Sequence, residues 1–308
     1  IKKQFRDPAY MQKHHRSLPT DLLFHGDTGC YTMMMYEPNK PLMHNYSGMG
    51  LGSGTGAGIN RFIKNKQVVF MGDSTFFHSC MIAISDAIKH KQDITIIILD
   101  NDTTAMTGHQ PTPNSGGDEF GHTTFRQRID EVVKGMVHGS SVPVVRVNPA
   151  YRQTYRELLE KTILMDGVKV IIADKECGIT YHRKIAREEN KVEKEKGFLP
   201  VKSHINITPE VCEYCLECTV STGCPGLTIQ ATDFGPKIIT DLTHCVSDMA
   251  CTKIKACPSF EEVIIKRIAP PQSEELPIWE GELPRVPRLE FEERWTSYMA
   301  GVGGMGIG

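Results

Sequence analysis

The sequence predicts an α/β protein: a doubly wound parallel sheet followed by a small cysteine-rich domain. Three observations carry that expectation. Short apolar runs alternate with helix-compatible stretches over residues 67–173, as βαβ units do. One of those runs, Ile94-Thr95-Ile96-Ile97-Ile98-Leu99, is apolar on both faces, which suits a central strand of a parallel sheet. Seven of the ten cysteines fall between Cys212 and Cys257, a clustering that points to metal ligation in a reducing compartment.

Taken in order, Gln67-Val68-Val69-Phe70-Met71 forms the first strand of this pattern and Gly72-Asp73-Ser74 breaks it. A helix is expected over 75–90, with Met81, Ile82, Ile84, Ala87 and Ile88 on one face, leading into the central strand at 94–99. Further strands are expected at 143–147 and 168–172, with a helix over 151–165 between them. Dense alternating charge over 181–196 predicts a solvated helix or linker. The expected organisation is an α/β domain over 1–200 that ends in this charged segment, and a cysteine-rich domain over 201–268. A connector follows over 269–296, where Pro270, Pro271, Pro277, Pro284 and Pro287 favour extended chain. The glycine-rich residues 297–308 read as the opening of a further domain.

Composition excludes several functions. With 308 residues, 40% hydrophobic and 23% charged, the chain is ordinary globular protein of about two domains. Thirty-five basic against thirty-seven acidic side chains leave a net charge of -2, which gives no electrostatic footprint for nucleic acid or an anionic membrane. The most apolar run, at 94–99, is far too short to cross a bilayer. Ile1-Lys2-Lys3-Gln4-Phe5 has neither an initiator Met nor a signal-peptide pattern, so the expectation is a cytoplasmic protein of which this is an interior piece. Cys30, Cys80 and Cys177 stand alone, each expected as a small buried hydrophobe or a pocket wall.

A carboxylate at a strand tip, followed by small residues and a helix N-terminus, is where a divalent cation and a diphosphate can meet. Amides and helix dipole take the anion, and the carboxylate takes the metal. Asp73, flanked by Gly72, Ser74 and Thr75, is built this way. Twenty-eight residues on, after one helix and one buried strand, comes Asp100-Asn101-Asp102-Thr103. Neighbouring parallel strands end side by side, so Asn101 can share a cation with Asp73 and the Thr103 carbonyl can add a third oxygen; such hard ligands suit Mg²⁺.

Gly-Asp-Ser, a gap of this length, then Asp-Asn resembles the thiamin diphosphate motif, usually Gly-Asp-Gly followed by Asn-Asn. Three blocks narrow the resemblance to the indolepyruvate:ferredoxin oxidoreductases: Gly26-Asp27-Thr28-Gly29-Cys30-Tyr31-Thr32, Gly72-Asp73-Ser74-Thr75-Phe76-Phe77-His78, and the stretch 99–111 that begins Leu99-Asp100-Asn101-Asp102-Thr103. That resemblance implies oxidative decarboxylation of a 2-oxo acid, an aryl pyruvate such as indolepyruvate, with coenzyme A to acyl-CoA and CO₂. The cofactor does the organic chemistry, and the electrons pass through iron–sulfur clusters to ferredoxin. It also implies that Gly29-Cys30 and Ser47-Gly48-Met49-Gly50 line the cofactor. The glutamate that activates thiamin would come from another domain or chain of a dimeric enzyme. His78 and His109 are the candidates for proton transfer; a histidine in such a place is more often merely hydrogen-bonded.

Cys212-x2-Cys215-x2-Cys218-x5-Cys224-Pro225 is close to the two-cluster ferredoxin pattern, in which the fourth cysteine of each run binds the other cluster. In the second run, Cys245, Cys251 and Cys257-Pro258, Asp248 stands where the middle cysteine would be. The crossover rule then assigns Cys212, Cys215, Cys218 and Cys257 to one [4Fe–4S] cluster. Cys224, Cys245 and Cys251 fall to the other, with Asp248 as fourth ligand or, if it turns to solvent, a three-iron cluster. Zinc is the alternative, but two zinc ribbons would not give two runs each ending in Cys-Pro. The competing functions are a non-oxidative thiamin decarboxylase or ligase, which leaves seven cysteines unexplained, and an electron-transfer module on a non-catalytic thiamin-type scaffold.

Overall fold

A computed structural model describes residues 1–36 and 39–269, and the connector and glycine-rich segment expected beyond Ala269 lie outside the described residues. Contacts divide the chain into two compact units, Ile1–Thr180 and one that starts at Tyr181.

The first unit is built on a six-stranded sheet of β1 (Leu22–Gly26), β2 (Asn45–Tyr46), β3 (Lys66–Gly72), β4 (Ile94–Asp100), β5 (Val144–Val147) and β6 (Val168–Asp174), in the order β2-β1-β3-β4-β6-β5. Every pairing is parallel. Before β1 come the short helices α1 (Lys2–Arg6) and α2 (Pro8–His14); the Asp7 carboxylate accepts the Ala9 N–H and Pro8 opens α2. Helix α3 (Leu51–Asn60) leads into β3, and a turn of helix, α4 (Asp73–Thr75), leaves it. A π turn at Phe76–Cys80 joins α4 to α5 (Met81–Lys89), with α6 (Ile129–Met136) and α7 (Arg152–Leu164) following; α8 (Gly178–Lys196) starts at the end of this unit and belongs mostly to the second.

Strand alternation sorts the core onto two faces. Val69, Met71, Ile96, Ile98, Val170 and Ile172 pack with Phe76, Ile84, Ile129 and Val133 on one side. Val68, Ile97 and Ile171 pack with Phe5, Met11 and Ile163 on the other. β4 is central and buried on both faces, as its composition predicts. Ile82, expected on the buried face of its helix, is 78% exposed. Met81, Ile84 and Ile88 make the packed stripe at i, i+3 and i+7, and Ile82 lies across the helix from it.

Helix α3 carries five glycines or alanines among ten residues and buries Gly52, Ser53, Gly56 and Ala57. A Cβ on Gly52 would stand 2.6 Å from the Gly26 carbonyl oxygen, so the helix backbone lies directly on the end of β1. Among the described residues no helix is long and apolar enough to cross a membrane.

In the second unit β7 (Val201–Ile207) pairs antiparallel with β10 (Phe260–Lys266), and β8 (Leu227–Thr232) pairs antiparallel with β9 (Gly235–Thr240). Short helices α9 (Glu217–Thr222) and α10 (Ala250–Lys253) lie within the two cysteine runs and carry Cys218 and Cys251, and Ile207, Cys212, Cys218 and Ile238 form the small core.

Candidate functional site

The chain runs from β1 outward to β2 and then returns past β1 to β3, so the strand order reverses between β1 and β3. At such a reversal the loops leaving adjacent strand tips diverge and open a crevice at the carboxyl edge of the sheet. A cavity of about 120 Å³ lies there. Gly29, Cys30, Met49, Gly72, Asp73, Ser74, Thr75, Asn101 and Thr103, all expected from the sequence to bind the cofactor, line it, together with Tyr31 and residues 104–107. Gly50 does not line it; its N–H donates to the Asp27 carboxylate at 3.0 Å.

Asp73 is buried, 2% exposed. Its Oδ1 accepts the Ser74 N–H at 2.7 Å, and its Oδ2 accepts the N–H groups of Asn101 and Thr103 and the Asn114 amide, each at 3.2 Å. Asn101 Oδ1 accepts the same Thr103 N–H at 3.2 Å. The two side-chain oxygens that the spacing pairs therefore converge on one amide nitrogen. Thr103 presents its N–H to them in this structure, where the sequence suggested its carbonyl as a cation ligand. Burial pushes the Asp73 carboxyl up to about 6, and the Asp100 charge adds to that rise. A desolvated carboxylate surrounded by neutral donors gains most from a cation, so these residues fit a hard divalent ion carrying a diphosphate.

Behind this pair stands a charged brace. Asp100, 4% exposed, accepts the Asn114 amide at 2.7 Å and Arg146 Nη1 at 2.7 Å. Arg146 Nη1 also reaches Asp174 at 2.8 Å, and its Nη2 reaches Asp130 at 3.0 Å. The Asn114 side chain also donates to Asp102 at 3.3 Å, so one buried amide joins three carboxylates.

On the other side of the cavity the Asp27 carboxylate, 0% exposed, accepts the Tyr31 hydroxyl, the Gly50 N–H and, at 3.7 Å, the Cys80 thiol. Burial pushes Asp27 up to about 6 and Cys80 up to about 12, so Cys80 is an inert buried thiol, as expected. Cys30 is exposed at the cavity, and burial first, then the neighbouring Cys177, raises its thiol above the ordinary value. Neither histidine candidate lines the cavity: His78 is exposed in the π turn, and His109, at φ 69°, lies 3.5 Å from the Thr180 hydroxyl.

In the second unit the two cysteine runs share a backbone signature. Tyr214 and Leu216, on either side of Cys215, have φ of 56° and 63°; Ser247 and Met249, on either side of Asp248, have φ of 53° and 58°. Left-handed residues other than glycine are uncommon, and here two of them bracket the same place in each loop before a short helix begins. Asp248 thus occupies the position of Cys215, with its Oδ1 accepting the Ala250 N–H at 3.0 Å. The Cys218 thiol is raised by burial and then by Cys257, Cys212 and Cys215. Cys224 is raised by burial and then by Cys245 and Asp248, and Cys251 by burial and then by Cys224 and Cys245. The Ile238 N–H donates to Cys212 Sγ at 3.4 Å. Among the described residues no group of three or more His, Cys, Asp or Glu side chains is placed to hold a metal ion.

Residues 27–173 match the family described as thiamine pyrophosphate enzyme, C-terminal TPP binding domain. An indolepyruvate oxidoreductase subunit of Archaeoglobus fulgidus is 33% identical over 240 residues, 78% of this chain and 35% of its own length. Its counterparts from Methanothermobacter thermautotrophicus and Pyrococcus horikoshii are 28% and 27% identical over 78% of this chain, and 34% and 37% of their own lengths. The chain spans about a third of the length of these curated relatives.

Proposed function

Because the chain is a relative of the indolepyruvate oxidoreductases and carries the C-terminal binding domain of thiamine pyrophosphate enzymes, we propose that it is the cofactor-binding and electron-transfer part of a 2-oxoacid:ferredoxin oxidoreductase. The convergence of Asp73 and Asn101 at the tips of β3 and β4 carries this reading. Asp73 and Asn101 would hold Mg²⁺ for the diphosphate, with the Thr103 carbonyl joining them only if that peptide turns from the N–H contact seen here, and Gly72, Ser74 and Thr75 would supply backbone approach at the head of the helix. The cofactor, when bound, supplies the nucleophile and electron sink for decarboxylating a 2-oxo acid. The protein orients it at the strand tips and leads its two electrons away. One [4Fe–4S] cluster sits on Cys212, Cys215, Cys218 and Cys257, a second on Cys224, Cys245, Cys251 and Asp248, and ferredoxin is the acceptor. Coenzyme A takes up the acyl group, and another domain or chain of a dimeric, cytoplasmic enzyme completes the thiamin site. An electron-transfer module on a non-catalytic scaffold would not need Asp73 buried beside Asn101 in a cavity.

The test is a panel of aryl, branched-chain and dicarboxylic 2-oxo acids, assayed for coenzyme A-dependent viologen reduction by the complete enzyme. Aryl pyruvates are expected to be turned over fastest, and the isolated 308-residue chain is expected to decarboxylate none. Decarboxylation without viologen reduction would favour the non-oxidative class, and absence of bound thiamin would favour the scaffold.

Asp248 allows a separate check on the clusters. A carboxylate is a harder and weaker iron ligand than a thiolate, so that corner should lose its iron first on oxidation. Electron paramagnetic resonance of air-exposed protein is expected to show a three-iron signal that Asp248→Cys lacks. Identical spectra from both proteins would mean that Asp248 does not face the open corner.

A further inference from the structure

The Asp27–Tyr31 pair is a polar arrangement at the cavity that cation and diphosphate binding leave without a role. Asp27 follows β1 directly and is completely buried, yet it touches three separate elements. The Gly50 N–H reaches it from the head of α3 at 3.0 Å, and the Cys80 thiol reaches it from the π turn at 3.7 Å. The third contact is the Tyr31 hydroxyl, which donates to Oδ1. The same hydroxyl accepts the N–H of Gly72, the residue immediately before Asp73, at 3.2 Å. The ring of Tyr31 is therefore pinned across the mouth of the crevice, from the loop after β1 to the tip of β3. It lines the cavity, and it lies so close to Gly29 that a Cβ there would stand 2.4 Å from it. Burying a carboxylate is costly unless its oxygens are satisfied. Here the satisfied carboxylate fixes an aromatic wall and the backbone that presents Asp73.

We infer that Tyr31, anchored by Asp27, is a positioning residue for the diphosphate cofactor: its hydroxyl holds the backbone at Gly72, the residue before Asp73, and its ring forms the cavity wall on the β1 side. The inference rests on the thiamin diphosphate reading above and deepens it. Tyr31 acts through Gly72 and is not a ligand of the cation. A hydroxyl and a carboxylate that work as one unit lose their joint effect when either is removed, so their substitutions should not add.

The experiment uses the complete enzyme stripped of cofactor, with Mg²⁺ and thiamin diphosphate titrated back by calorimetry. Tyr31→Phe keeps the ring and removes both hydroxyl bonds; Kd for thiamin diphosphate is expected to rise roughly tenfold, with iron content unchanged. Asp27→Asn is expected to show a rise of similar size, and the double variant one no larger than the worse single. If Asp27→Asn fails to fold, Tyr31→Phe alone decides. A Tyr31→Phe protein that melts lower but binds with wild-type Kd would assign the hydroxyl to the scaffold only and overturn the inference. Additive effects in the double variant would overturn the pairing. A wild-type protein that binds no thiamin diphosphate would instead overturn the functional reading.

Discussion

Asp73→Ala protein is expected to leave purification without thiamin diphosphate while retaining its full iron content. Asp73 is the one carboxylate at the tip of β3, and its Oδ2 is the point on which the Asn101 and Thr103 loop turns. Without it the diphosphate has no cation bridge at that tip, and the second unit, which carries the seven clustered cysteines, is untouched. Asn101→Ala removes a neutral ligand only, so a milder loss, recovered by excess Mg²⁺, is expected. Asp73→Asn separates binding from folding. Burial holds the Asp73 carboxyl near 6, above its ordinary value, so its contribution to stability is present in acid and is lost as pH rises through about 6. At pH 7.5 without cofactor, Asp73→Asn should therefore melt at or above the wild-type temperature and still bind no thiamin diphosphate. Equal cofactor occupancy in Asp73→Ala and wild type would sink the site.

The strands that sequence periodicity found are those built from large branched residues. β3, β4, β5 and β6 fall within two residues of expectation, as does α7, because an apolar run of that length, too short to cross a bilayer, has few other uses. What periodicity could not show lies at the β1 side of the sheet. β1 offers Leu22, Leu23 and Phe24 and then His25 and Gly26, too short a run to stand out, and β2 is only Asn45–Tyr46. Helix α3 forms from Leu51-Gly52-Ser53-Gly54-Thr55-Gly56-Ala57-Gly58, where propensity argues against a helix at about 1 kcal/mol per glycine. Its packing relies on the absence of side chains, so no hydrophobic stripe announces it. The second unit was placed by its cysteines, and its strands, with most side chains at least partly exposed, carried no comparable signal.

At the site, sequence found the pair that chain order dictates. Asp73 and Asn101 end neighbouring parallel strands, and that topology alone brings them within reach. Asn114 was missed because it reaches Asp73 from an irregular loop, by a path that no spacing rule describes. Asp27 and Tyr31 stood inside a quoted motif, but their partners, Gly50, Gly72 and Cys80, come from three other segments. The register of Asp248 is the opposite case: a two-residue spacing suggested it, and the matched left-handed residues around Cys215 and Asp248 give a geometric reason for it. Arg146 carried a signal that went unread. A lone arginine in Val144-Val145-Arg146-Val147 needs acidic partners, and Asp100 and Asp174 end the strands two places and one place away in the sheet.

Arg146→Met is expected to destabilise the first unit by about 3–5 kcal/mol, the usual consequence of stripping one partner from a buried ion pair. Arg146 is 24% exposed at its side chain and serves three carboxylates, of which Asp100 at 4% is the most deeply buried. Asp174 is half exposed and Asp130 keeps Arg128 and Lys134, whereas Asp100 keeps only the Asn114 amide. Burial already raises the Asp100 carboxyl, and the Arg146 guanidinium is the chief influence opposing that rise. Removing the guanidinium raises it further, so the loss should be smallest in acid, where Asp100 takes a proton, and should grow as pH rises through the folded value. Since Asp100 stands where the thiamin motif usually has asparagine, Asp100→Asn should rescue Arg146→Met by removing the orphaned charge. Denaturant titrations of the two single variants and the double variant at pH 5 and pH 7.5 would measure this. Equal losses at both pH values, or no rescue in the double variant, would show that Arg146 braces the sheet by packing and not by neutralising Asp100.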